Sequence, residues 1–392
     1  MSASDGGRRR IAATLLAALF VYALSANLLP SALLRAAADL VVSPQHLALT
    51  ASLHFGAFFL CASLADRLAN RLGNRRVLLG AGTALAFGAV AWATATGFTS
   101  SCIASVAWGM AGGIFEGFGS ALLCGLYPSR RKRLMNVSQA LYTAGAVLGP
   151  VMAGLLLPRG VGWRTLFLGV GMLGLLLTVG FAFCRFPPSP PPEDTGSAPG
   201  AGRRAGIGVP FLASCAALFL YVLSESSVAV YSNLYLRVAH GAPENWAIYS
   251  IGLFWLAMLA GRILCTRLPE QHAYERMLTM ILGAGAASLV FQGLAGSWRI
   301  SVLGFAFTGF ALAGSWPLLV AKVGAGSGQN AAARIGVMVA VGSLGCVAAP
   351  PLMNALFAAV PLRLVYVLAA VPVMLAAVLA GVPFRKQTST WN

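Results

Sequence analysis

Apolar runs long enough to cross a lipid bilayer recur along almost the whole chain, separated by short polar or basic stretches. Twelve segments fall near residues 11–34, 46–65, 77–97, 100–126, 134–157, 163–184, 210–236, 246–266, 274–295, 299–320, 332–357 and 362–384. The first run, Ile11 to Leu34, is too long for a signal-peptide core and is followed by others, so it predicts a retained first helix. A helix satisfies its own backbone hydrogen bonds inside lipid, so the pattern predicts an all-α membrane protein with twelve transmembrane helices.

Composition agrees. Of 392 residues 58% are hydrophobic and only 9% charged, whereas a soluble chain carries roughly a quarter of its residues as charges. The formal charge of +17 suggests nucleic acid until its distribution is read. With a cytoplasmic N-terminus, 21 of the 27 basic residues fall on inner tails and loops, among them Arg67, Arg71, Arg75, Arg76, Arg130 to Arg133, Arg262, Lys322 and Arg385. Only Arg35, Arg159, Arg164, Arg237, Arg299 and Arg363 fall outside. That asymmetry is the orientation signal of a multi-pass membrane protein, so both termini are expected in the cytoplasm and no nucleic-acid partner is implied. Seven cysteines form no CxxC pair and no Cys/His ligand spacing, so no metal site is expected. The absence of a GxxxxGK[ST] loop removes an ATP motor, and no cofactor is implied.

A Pro/Gly/Ser/Arg stretch from Phe186 to Gly208 cannot continue a helix and reads as a cytoplasmic linker. It predicts a six-helix bundle over 1–185, a linker over 186–209 and a second bundle over 210–392. The halves echo each other. Phe20-Val21-Tyr22-Ala23-Leu24-Ser25 returns as Phe219-Leu220-Tyr221-Val222-Leu223-Ser224, offset by 199 residues. Leu64-Ala65-Asp66-Arg67 returns as Leu259-Ala260-Gly261-Arg262, offset by 195. Both offsets lie near half the chain, as in a duplicated bundle with a solute site between its halves.

Asp66-Arg67 followed by Gly73-Asn74-Arg75-Arg76 resembles the loop signature of the major facilitator superfamily, with a spacing lengthened by an Ala-Asn-Arg-Leu stretch. Read as a loop after the second helix, Asp66, Arg67, Arg75 and Arg76 are the gating candidates, one acid pairing among basic residues to hold a cytoplasmic gate. From Gly112 to Gly154 the chain is similar to the fucose permease-like branch of sugar:proton symporters. The residues concerned are Glu116 in a Gly-rich fourth helix, Tyr127-Pro128, the basic run, Met135-Asn136-Val137-Ser138-Gln139, and Gly145 to Pro150. Glu225, Tyr231, Asn233, Tyr235, Phe254-Trp255 and Gly261-Arg262 extend the resemblance. It implies a secondary transporter, working by alternating access, that moves a sugar or similar polar solute with protons. The fucose symporter has a further acid in its first helix, and the matching Ser25 to Pro30 has none.

Physics singles out the same acids. Glu116 lies about 24 Å along the helix axis from the outer start of the fourth helix, and an acid at that depth costs about 2–3 kcal/mol on insertion scales. Gly112, Gly113, Gly119 and Ser120, at i±3 and i±4, make a small-residue face that turns Glu116 toward the bundle. Glu225 sits among Ser224, Ser226 and Ser227, a stretch that predicts local unwinding beside a cavity. Glu116 and Glu225 are therefore the proton-coupling candidates. Asn136, Gln139 and Thr143 form a polar stripe on the fifth helix, with Asn136 also placed to cap it. Asn27, His54, Tyr221, Trp255 and Trp316 complete the candidate solute-binding set, with helix packing as the alternative for the two tryptophans. Gly149-Pro150 also resembles the helix-five motif of drug antiporters and keeps proton-driven efflux as the alternative function. No catalytic constellation is present, so the chain is not expected to be an enzyme. The expected protein is a monomer in a bacterial inner membrane, its partners a small solute, protons and lipid.

Overall fold

Every element described is a helix or a turn between helices, and the breaks between them set where polar side chains can sit. The computed structural model describes residues 5–127, 131–184, 186, 208–265, 274–327 and 331–384. The first crossing is split into α1 (Asp5–Ala26) and α2 (Leu28–Asp39), which meet at Asn27. A short α3 (Pro44–Ala48), N-capped by the Ser43 hydroxyl, leads into the second crossing, α4 (Thr50–Leu72). The third is α5 (Asn74–Ala93). The fourth is α6 (Phe98–Gly113), a π-helical turn over Ile114–Gly119, and α7 (Ser120–Leu126). The fifth and sixth are α8 (Arg131–Leu156) and α9 (Trp163–Ala182).

The second series runs α10 (Val209–His240), α11 (Glu244–Cys265), α12 (Tyr274–Gly293), α13 (Trp298–Leu312), α14 (Ser315–Gly326), α15 (Ala331–Ala359) and α16 (Leu362–Ala380). The pair α13 and α14 makes one broken crossing, as α6 and α7 do. By length and hydropathy eleven crossings among the described residues suffice to span a membrane. The twelfth, α12, carries Glu275, Arg276 and Gln292 and is less apolar, yet it packs on α13 and α16 within the same bundle. Large apolar side chains such as Met172, Leu303 and Val378 stand exposed on the outer surface, as lipid contact requires.

One expectation is corrected here. The stretch from Asp66 to Arg76 is not a loop: α4 continues to Leu72, and α5 starts at Asn74. The whole turn is Gly73, whose φ of +85° is open to glycine and disfavoured for side-chain-bearing residues. Asp66 and Arg67 therefore belong to the last turns of a helix.

Packing repeats between the halves with the spacing of the sequence echo. Gly145 of α8 lies flush on α1, where an added Cβ would stand 2.3 Å from the Phe20 carbonyl oxygen. Gly345 of α15 does the same on α10, 2.5 Å from the Phe219 carbonyl oxygen. A Cβ added to Gly109 of α6 would stand 2.0 Å from the His54 carbonyl oxygen on α4, and one added to Gly309 of α13 would stand 2.2 Å from the Phe254 carbonyl oxygen on α11. Each pair of partners is 199 or 200 residues apart, so the duplicated sequence packs as a duplicated bundle. Small residues let the backbones approach this closely, which is the main source of helix association in lipid. Across the halves, α8 packs on α11 and α4 on α15.

Candidate functional site

Glu116 lies in the π-helical turn of the fourth crossing, half-buried, and one residue wider than an α-turn there changes which side chains face inward. The small face beside it closes on neighbours: a Cβ on Gly112 would stand 2.1 Å from the Tyr22 ring, and one on Gly113 would stand 2.1 Å from the Phe58 carbonyl oxygen. This packing seats Glu116 next to Tyr22 of α1 and Tyr142 of α8, with which it interacts electrostatically. Glu225, also half-buried, approaches from α10 in the other half and interacts with the same Tyr142 and with Glu116. Arg262 of α11 interacts electrostatically with both carboxyls. The fully buried Tyr221 hydroxyl lies beside Glu225 and interacts with it, and Ser226 Oγ donates to Cys346 Sγ at 3.0 Å, tying α10 to α15. Two acids and one arginine, contributed by both halves and walled by tyrosines, thus form one cluster inside the membrane.

His54 joins this cluster's edge. It is buried on α4, 3.0 Å from the Tyr22 hydroxyl, and its ring stacks parallel to Tyr22 at a centroid separation of 6.0 Å. Trp108 Nε1 donates to Ser25 Oγ at 3.0 Å, and Ser25 Oγ donates to the Tyr22 carbonyl, which fixes the tyrosine's helix turn.

The other expected site residues divide. Asn27 and Trp255 come together, but on each other: Trp255 Nε1 donates to Asn27 Oδ1 at 2.8 Å, while Asn27 Nδ2 donates to the Ala23 carbonyl. They join the halves as well as bordering the centre. Thr143 is buried and its hydroxyl donates to the Gln139 carbonyl of its own helix, whereas the Gln139 side chain is half-buried. Trp316 is half-buried on α14 and packs against the hydrophobic core. The side chains of Asn136 and Asp66 lie outside the described residues, as do the linker over 187–207 and the C-terminal Arg385 and Lys386. Arg67 and Arg76 are exposed, and Arg75 Nη2 donates to the Ala182 carbonyl at the end of α9, within its own half.

Three readings of the sequence are corrected. The serine stretch around Glu225 does not unwind: α10 is unbroken, and Ser224 and Ser227 return their hydroxyls to the Leu220 and Leu223 carbonyls. The irregular backbone is instead at Glu116 and Asn27. Arg262 is not a loop charge, because α11 extends to Cys265 and carries it into the cluster. Lys322 is likewise buried within α14, where Nζ donates to the Ala380 and Val382 carbonyls at 2.6 and 2.7 Å and closes the end of α16.

A second feature rests largely on residues outside the candidate site set. Arg35 of α2 makes a bidentate ion pair with Glu244 of α11, Nε to Oε1 at 2.5 Å and Nη2 to Oε2 at 2.8 Å. Asn233 Nδ2 donates to the Pro30 and Ser31 carbonyls, Asn354 Nδ2 to the Gln45 carbonyl and Ser52 Oγ to the Val347 carbonyl. Together with the Trp255–Asn27 bond, these contacts join the first six crossings to the last six, and all lie between mid-bundle and the end away from the chain termini. The bundle is held shut at that end. Tyr22 had a detectable signal, since it and Tyr221 occupy the same place in the sequence echo. The Arg35–Glu244 pair had none, being 209 residues apart.

Residues 14–291 match the family model described as Major Facilitator Superfamily. Among curated proteins, Protein TsgA of Salmonella arizonae is 28% identical over 204 residues, 50% of this chain and 51% of TsgA. The same protein of Salmonella newport is 27% identical over the same length. The chain spans about half the length of these curated relatives. Among solved structures, a D-xylose-proton symporter aligns with a TM-score of 0.79 at 17% identity, covering 97% of this chain and 98% of that one. A bacterial homologue of the human lysosomal transporter Spinster, in an inward-facing and occupied conformation, aligns at 0.76 and 15% identity, over 96% and 97%. A mutant of the nucleoside transporter NupG aligns at 0.76 and 11% identity, over 94% and 98%. At these identities the likeness is one of fold.

Proposed function

The chain belongs to the major facilitator superfamily, and from that premise we propose that it is a proton-coupled symporter of a sugar or a similarly polar solute, working by alternating access. One observation carries this reading: Glu116 and Glu225, buried acids from opposite halves, interact electrostatically, and Arg262 acts on both. A buried carboxylate is costly unless it is compensated or protonated, so its charge must change or be shared as the carrier reorients. Protonation removes that cost, and a site at the junction of two rocking halves senses which side is open. Tyr22, Tyr142, Tyr221 and Gln139 supply hydroxyl and amide groups suited to a polyhydroxylated solute. The fold likeness to a xylose-proton symporter and a nucleoside transporter supports a polar solute.

In this reading the halves are 1–185 and 210–392, joined by the cytoplasmic linker 186–209, with both termini cytoplasmic and the chain monomeric in a bacterial inner membrane. The Arg35–Glu244 end then faces outward, and the described conformation opens inward. Asp66, Arg67, Arg75 and Arg76 border the inner opening, where pairing across the halves would occur in the opposite state. In the Gly145 to Gly154 run, the mark of the efflux alternative, Gly145 and Gly149 seat α8 on α1 and Gly154 meets Tyr249 of α11, so the run is taken up in packing and lends efflux no separate support. Ligand-dependent thermal shifts of the purified protein distinguish the two. Stabilisation by pentoses, hexoses or nucleosides is expected; stabilisation by lipophilic cations alone would overturn symport of a polar solute.

A further inference from the structure

Helices α1 and α9 touch through small residues and leave a furrow on the outer surface of the first half. A Cβ added to Gly180 of α9 would stand 3.2 Å from Thr14 Cγ2 of α1, and Thr14 Oγ1 lies 3.9 Å from Cys184 Sγ. Two hollows of about 360 and 410 Å³ adjoin this contact and share Ala13, Thr14 and Gly180 in their walls. One reaches Arg10 and Phe183, and the other runs on to Val21 and Leu173. From Arg10 to Val21 the furrow follows α1 for about 16 Å by the helical rise, and one leaflet of bilayer hydrocarbon is about 15 Å deep.

The lining is apolar except at one end. Arg10 is its charged residue, and Arg8 and Arg9 precede it on α1. Arg75 reaches the same end, where it satisfies the Ala182 carbonyl that closes α9. Among the described residues no ion pair engages Arg8, Arg9 or Arg10. The chain offers little to cover the furrow. Phe186, just past α9, packs against the core, and 187–207 holds Ile207 as its one large aliphatic or aromatic residue. Nor does the second half repeat the pattern: at the offset of 199, Val209 stands for Arg10 and Leu212 for Ala13.

An apolar furrow one leaflet deep, with guanidiniums gathered at its polar end, has the anatomy of a phospholipid. We propose that α1 and α9 hold an anionic phospholipid, its phosphate at Arg10 and an acyl chain laid along Ala13, Ala17 and Gly180. A zwitterionic headgroup would bring an ammonium to the same arginines and lose part of the attraction. Placing the lipid in the inner leaflet rests on the cytoplasmic position of the chain termini in the reading above. The solute and its coupling do not enter.

Native mass spectra of the full purified chain, titrated with phosphatidylglycerol or phosphatidylcholine, count bound lipid directly. Wild type is expected to prefer phosphatidylglycerol, and Arg10→Gln to bind it about fivefold more weakly, the worth of one arginine at a membrane surface. Arg10→Lys should keep the wild-type affinity. Ala17→Leu fills the furrow, leaves every charge in place and should expel the lipid. Arg299→Gln removes an exposed arginine from the other half and should change nothing. Equal affinity for the two lipids, an equal loss in Arg299→Gln, or undiminished binding by Ala17→Leu would overturn the proposal. Displacement by inorganic phosphate would assign the arginines to a free anion, and a dimer peak abolished by the same variants would assign the furrow to a second copy; either result also overturns it. A chain that binds phosphatidylglycerol as expected but moves no proton with any sugar would instead overturn the coupling reading and leave the lipid site standing.

Discussion

Arg35→Gln removes the ion pair that pins α2 to the start of α11, and the structure sets the size of the effect. The pair is bidentate, and its side chains are 34% and 29% exposed. A fully exposed pair would contribute little, about 0–1 kcal/mol, whereas a bidentate charge-assisted pair sheltered on both sides lies near the upper end, about 1.5 kcal/mol. It exists only while the adjoining ends of α2 and α11 are together, so its loss acts on the equilibrium between states and lowers the closed-to-open ratio at that end about tenfold. The contacts of Asn233 and Asn354 remain, so the shift is partial. Spin labels at Val41, which is 92% exposed, and at Gly296, with open space around it, report the separation of the two halves at this end. A longer-distance population is expected to grow in Arg35→Gln and to recede in the charge-swapped Arg35→Glu/Glu244→Arg. An unchanged distance distribution in Arg35→Gln, or a swap that fails to restore it, would refute the latch.

Two packing predictions follow from the repeat and one from a buried cation. Gly145→Val and Gly345→Val each push a side chain into a helix backbone 2.3 or 2.5 Å away and should each cost about 2 kcal/mol, lowering the thermal midpoint in detergent. Gly336→Ala, with nothing within 4 Å of its Cβ, is the control expected to leave that midpoint in place. Lys322→Met strands the Ala380 and Val382 carbonyls and should cost about 2 kcal/mol; a midpoint equal to wild type would show that those carbonyls find other donors.

What the sequence revealed and what it hid follow from the range of the forces involved. Apolar length and basic asymmetry act segment by segment, so the crossings were legible, and the echo of Phe20–Ser25 in Phe219–Ser224 foretold a packing repeat that Gly145 and Gly345 realise. Glu116 and Glu225 stood out because an acid in an apolar run has few innocent explanations. Helix ends were harder to place. Charged residues from Asp66 to Arg76 read as loop, yet a helix leaving the membrane continues in its polar coat until a residue such as Gly73 stops it. The same habit hid Arg262 among loop charges, although long arginine side chains reach back along a helix. The serines near Glu225 suggested unwinding because their hydroxyls can compete for backbone, but they bond within an intact helix. Contacts such as Arg35–Glu244 and Trp255–Asn27 depend on how the two halves meet, and no local pattern encodes that.

The central claim is that a membrane-buried carboxyl couples protons to solute, with Glu116 as the carrier. Glu116→Gln imitates the protonated side chain in shape and hydrogen bonding but cannot release a proton. In vesicles containing a pH-sensitive dye, loaded with the sugar or nucleoside that stabilises the purified protein, the variant should exchange solute in counterflow at a rate near wild type. It should fail to accumulate that solute, or to acidify the lumen, under an inward proton gradient. Glu225→Gln should show the smaller coupling defect and the larger loss of affinity. Full proton-driven accumulation by Glu116→Gln would contradict the assignment and transfer the proton to Glu225, and accumulation by both variants would contradict the coupling mechanism itself.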